Sequence, residues 1–66
     1  MYEKLKEMRE EKGYILEDLA KVIDNSVPNY YKKENGQVKF SVSEALKIAD
    51  FLECKVEDIF LKSDLQ

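Results

Sequence analysis

LEDLAKVIDNSVPNYYKKENG, residues 16–36, is the stretch that decides the fold of this chain. Leu16, Leu19, Ala20 and Ile23 recur at spacings of three and four, which puts them on one face of a helix over 16–23. Asp24 and Asn25 break the pattern, and both tolerate a left-handed backbone and favour turns. Ser26 is a good N-cap for a second helix over 27–34. Pro28 falls in that helix's first turn, where a missing N–H costs little. Gly36, after Asn35, is a helix stop.

Towards the N-terminus, Tyr2, Leu5 and Met8 share one face of a helix over 2–12, which Gly13 ends. Tyr14 and Ile15 lead into the helix at 16 as an apolar entry. Ile15 is a poor N-cap, because Ser or Thr is preferred there. Towards the C-terminus, the loop GQVKF precedes Ser41, which forms a capping box with Glu44. The helix after it, over 42–53, carries Val42, Ala45, Leu46, Ile48, Ala49, Phe51 and Leu52. These cover more than one stripe, so it is expected to be the central, most buried helix. A short helix over 56–61 carries Val56, Ile59 and Phe60, and the final KSDLQ is expected to fray. Five short helices and no convincing strand predict an all-α fold, a compact five-helix bundle forming one domain over 1–66.

Composition narrows the class. A chain of 66 residues buries only about 60% of its unfolded surface, so its core is thin and dimerisation would help it. A hydrophobic fraction of 44% suits a globular domain and argues against disorder. No apolar run approaches the roughly 20 residues needed to span a bilayer, and the charged N-terminus lacks an apolar signal core. One cysteine makes no internal disulfide, so the expected location is the cytoplasm. With no His and one Cys, metal sites and His-based triads are not expected. The neighbouring carboxylates Glu10–Glu11 and Glu57–Asp58 point apart on helices. Enzymatic activity and a cofactor are therefore not expected.

Net charge is −3, from 11 basic and 14 acidic residues, which counts against a phosphate-binding surface. The distribution is uneven. Residues 1–25 carry five Lys/Arg and seven Asp/Glu, a balance of −2; residues 41–66 carry three and six, a balance of −3. Residues 26–40 carry Lys32, Lys33 and Lys39 against Glu34, a balance of +2. The one basic segment is the helix over 27–34 with its following loop. Two short helices joined by a tight turn form a helix-turn-helix unit, whose second helix enters the DNA major groove.

Over roughly residues 3–60 the order of signals resembles the lambda-repressor/Cro-type helix-turn-helix family. The likeness lies in LKEMREEKG at 5–13, EDLA at 17–20, ENG at 34–36, SEALKIADFL at 43–52 and VEDIF at 56–60. The resemblance implies a five-helix transcriptional regulator, dimeric, that binds operator DNA. It also implies an ion pair between Arg9 and Glu34, and a core position for Tyr30. Departures concentrate on the DNA-facing side. Leu16 stands where the family has a polar residue, Asp24 where it has Gly, and Val27 and Pro28 where it has Gln, Arg or Ser. Lys33 replaces an apolar residue, and Gln37 and Val38 replace a basic loop of which Lys39 remains.

The expected DNA-binding residues are Val27, Pro28, Asn29, Tyr31, Lys32, Asn35 and Lys39. Asn29 can pair with adenine, Lys32 with guanine or phosphate, and Tyr31 with phosphate through its hydroxyl. Val27 and Pro28 can pack on thymine methyls. Asn35, Gly36 and Lys39 can cradle a phosphate through backbone N–H groups and one charge. Lys33 is expected to cover the core edge with its stem and send its ammonium to solvent, with a phosphate contact secondary. Cys54 reads as a small hydrophobe. The expected partner is double-stranded DNA with a near-palindromic operator, bound by a homodimer formed through Val56, Phe60, Leu61 and Leu65. The alternative is a protein-interaction module of antirepressor or antitoxin type, in which Leu16, Val27, Pro28 and Tyr31 face a protein partner.

Overall fold

The computed structural model describes residues 3–61, which form five helices: α1 (Glu3–Glu11), α2 (Leu16–Val22), α3 (Val27–Glu34), α4 (Val42–Phe51) and α5 (Val56–Ile59). Tyr2, Leu65 and the KSDLQ tail after Leu61 lie outside the described residues. No described helix is long and apolar enough to cross a membrane.

The first four helices end in the same way. After α1, the N–H of Tyr14 reaches back to the Arg9 carbonyl and that of Gly13 to Glu10, with Gly13 at φ 79°. The same paired bonds follow α2 at Asp24 and Asn25, α3 at Gly36 and Gln37, and α4 at Glu53 and Cys54. These are Schellman ends, which need a left-handed residue just beyond the helix. Asp24 and Glu53 supply it without being glycine, each at φ 58°. Helix starts are equally defined. Ser26 accepts from the Asn29 N–H at 3.3 Å, and Ser41 and Glu44 exchange both bonds of their capping box. Ile15 and Lys55 cannot cap with their side chains, but Asp18 and Asp58 reach back to accept their N–H groups at 2.9 and 3.0 Å.

One cluster holds the helices together: Leu5 from α1, Leu19, Ala20 and Ile23 around α2, Tyr30 from α3, Ala45, Ile48, Ala49 and Leu52 around α4, and Ile59 and Phe60 from the C-terminal turn. Phe40, in the loop before α4, is fully buried. Its ring lies edge-on to Tyr30 at 6.1 Å and to Phe60 at 5.1 Å. Two expectations are corrected here. Helix α4 carries more buried residues than any other described helix, as expected, but along one stripe only, which leaves Val42 and Leu46 half-exposed. Phe60, expected at a dimer contact, is used inside this core and is 4% exposed. Cys54 is half-buried against the same cluster, and burial, with Asp58 nearby, pushes its thiol up despite Lys12.

Arg9 and Glu34 meet in this interior with 9% and 6% of their side chains exposed. The guanidinium donates through Nε to Oε2 at 3.0 Å and through a second nitrogen to Oε1 at 3.1 Å, a bidentate fork. Its remaining arm donates to the Tyr14 carbonyl at 3.0 Å, and the Tyr30 hydroxyl donates to Glu34 at 2.7 Å. Burial and this bond to the carboxylate push the Tyr30 hydroxyl well above the usual tyrosine range.

Arg9→Ala leaves Glu34 buried and without its cation, which should cost about 3–5 kcal/mol. Thermal melting should show the midpoint falling by roughly 12 °C or more, if the variant folds at all. Glu53→Gly removes the left-handed strain of a side chain at φ 58°. It should gain about 1 kcal/mol, a rise in Tm of roughly 4–8 °C, and an unchanged midpoint would count against it.

Candidate nucleic-acid interface

Helix α3 buries Tyr30 and Glu34 and holds Lys33 half-buried. At 100° per residue, the face opposite Tyr30 is centred on Pro28 and Lys32, with Asn29 and Tyr31 on its flanks. All four are exposed, and Val27 is partly so at the helix start. The structure therefore brings five of the sequence-predicted residues onto one solvent-facing surface. Their side chains take no part in the core.

The loop after α3 behaves differently from expectation. The N–H groups of Asn35, Gly36, Gln37 and Val38 all donate to carbonyls of the last turn of α3, and Gln37 also donates to the Asn35 side-chain oxygen. Closing the helix uses these donors, so Asn35 and Gly36 do not form a backbone phosphate cradle. What remains on that side is the amide nitrogen of Asn35 and the exposed ammonium of Lys39.

Lys33 is also corrected. Its ammonium does not go to solvent. It lies 2.7 and 2.8 Å from the two carboxylate oxygens of Glu44 and 6.0 Å from the centre of the Phe40 ring. Burial pushes the Glu44 carboxyl up. The bonds from Lys33 and from the Ser41 N–H outweigh it and hold Glu44 below the usual glutamate range. With Lys33 taken by Glu44 and Glu34 by Arg9, the +2 of residues 26–40 resides in Lys32 and Lys39. Glu44 reads in sequence only as a cap. No local spacing marks it as a partner of α3, because Lys33 is 11 residues away.

Beside this face, a groove of about 650 Å³ opens between α1 and α3. Glu3, Lys6, Glu7, Arg9 and Glu10 of α1 line it together with Leu16, Tyr31, Glu34 and Asn35. Leu16 is half-buried against the core, which accounts for an apolar residue at that position. Beyond the α3 face, the loop carries Lys39, and the α1 side of the groove carries Lys6 among its three glutamates.

A family model described as Helix-turn-helix, of the lambda-repressor/Cro-like type, matches residues 5–59. No curated protein and no solved structure matches the chain. The matched span contains α2, the left-handed turn at Asp24 and α3, together with the helices that clamp them. The chain belongs to the lambda-repressor/Cro-like helix-turn-helix family, whose members are DNA-binding transcription regulators.

Proposed function

We propose that this chain is a sequence-specific transcriptional regulator, a cytoplasmic repressor or controller of phage or mobile-element type, that reads the major groove with α3. The observation that carries the reading is the exposed face of Pro28, Asn29, Tyr31 and Lys32 on a helix whose opposite side is locked by buried pairs. On this reading Lys32 and Asn29 address bases. Val27 and Pro28 pack on thymine methyls, Tyr31 reaches a phosphate, and Asn35 and Lys39 contact the flanking backbone. A two-fold homodimer presents two copies of α3 about 34 Å apart to a near-palindromic site. Val56 and the exposed Leu61 are its contacts within the described residues.

A second reading, a protein-interaction module, is favoured by the groove, which Leu16 and Tyr31 share with the charged side chains of α1. Binding to a protein partner with no shift of DNA would establish it and remove the first.

Gel shifts against the DNA flanking the protein's own gene test the leading reading. Lys32→Ala should cost about 1–3 kcal/mol and relax preference at one position. Lys39→Ala should weaken all sequences alike. With Lys32 and Lys39 as the cations beside α3 that no ion pair takes up, a dimer brings about four charges to the phosphates, so log K against log salt should fall with a slope no steeper than about −4. Sedimentation at micromolar concentration should show a dimer, with Leu61→Lys returning it to monomer; a monomeric parent at every concentration refutes the assembly.

A further inference from the structure

Lys33 and Glu34 are consecutive residues in the last turn of α3, and they reach to different neighbours. Glu34 is tied to Arg9 of α1, and Lys33 to Glu44 of α4. The Glu44 carboxylate also accepts the Ser41 N–H at 2.9 Å and the Asn25 side-chain amide at 3.4 Å. One carboxylate thus gathers the start of α4, the end of α3 and the turn joining α2 to α3. The Lys33 and Glu44 side chains are 16% and 20% exposed, so salt screens the pair less than a surface pair.

Helix α3 packs chiefly on α2. A helix seated on one neighbour through a narrow apolar stripe can roll about its axis. Two charged arms set 100° apart, each held by a different helix, oppose that roll. A recognition surface must hold its side chains to within roughly 10–20° to discriminate between bases. We propose that Glu44 is a positioning residue for α3. Through Lys33 it sets the rotation that decides how Asn29, Tyr31 and Lys32 meet a duplex, and so it contributes to sequence discrimination without touching DNA. The proposal rests on the reading of α3 as the DNA-reading helix.

Glu44→Gln separates this role from capping, because glutamine still accepts the Ser41 N–H in a capping box. Lys33→Met removes the other partner and keeps an apolar stem over Phe40. Two measurements apply to each variant: backbone amide NMR shifts of the free protein, and affinity for two duplexes over a range of salt. One duplex is the tightest that the parent selects from a randomised pool, and the other is an unrelated sequence of equal length. In Glu44→Gln the amides of residues 27–34 should shift while those of α5 stay. Affinity for the selected duplex should fall about two- to thirtyfold. The unrelated duplex should bind as before or more tightly, since a negative charge has gone. Lys33→Met should lose the same discrimination with the salt slope unchanged, and the double variant should be no worse than either single one. Unmoved α3 amides overturn the proposal, as does an equal change on both duplexes. A salt slope shallower by about one for Lys33→Met shows a direct phosphate contact and also overturns it. If the parent selects no duplex, the DNA reading itself falls, and the amide shifts alone decide whether Glu44 sets α3.

Discussion

The fork between Arg9 and Glu34 is the contact on which the rest of this small fold depends. A core of twelve buried apolar residues cannot define the mutual orientation of five short helices by packing alone. The fork supplies direction. Arg9 binds α3 through Glu34 and the entry to α2 through the Tyr14 carbonyl, so one side chain fixes three segments. The Tyr30 hydroxyl then fills a further lone pair of the same carboxylate. No buried side-chain polar atom among the described residues is left without a partner. That completeness makes the pair tolerable in a low-dielectric interior, where a half-satisfied network would cost more than an apolar one. Burial alone would lower the Arg9 pKa, but Glu34 outweighs it and the guanidinium stays charged.

The five-helix order and the helix-turn-helix were legible because local chemistry and periodicity agree along 16–36. Leu19, Ala20 and Ile23 do face the core, Asp24 does take the left-handed turn, and Ser26 does cap α3. Capping signals read less well where the bond is made by a residue other than the one at the cap. Ile15 is a poor cap by type, yet Asp18 repairs it from three residues downstream. Glu53 ends α4 with a residue that carries no stop signal at all. Burial was over-read on α4 because periodicity reports which residues are apolar, not whether a neighbour exists to cover them. Phe40 shows the converse: it lies in a loop, outside any periodic pattern, and is fully buried.

The exposed side of α3 was legible through the family resemblance, which implies inward positions for Tyr30 and Glu34; helix geometry then turns Pro28 and Lys32 outward. The surrounding electrostatics were not. A tally of charges by segment counts Lys33 as a free cation, but it belongs to a pair closed over 11 residues of chain. The loop N–H groups look available in sequence, but a Schellman end consumes them. Both errors have one origin. Sequence shows which groups can make a contact, and only the fold shows which have already made one.

Pro28, Asn29, Tyr31 and Lys32 share a face that gives nothing to the interior, while their neighbours Tyr30, Lys33 and Glu34 carry the anchoring. Within eight residues, one set of positions maintains the fold and another is free of it. Mutations in the second set are largely invisible to selection for stability. A lineage with this architecture can therefore change the chemistry of that face by single substitutions with no unfolded intermediates along the way.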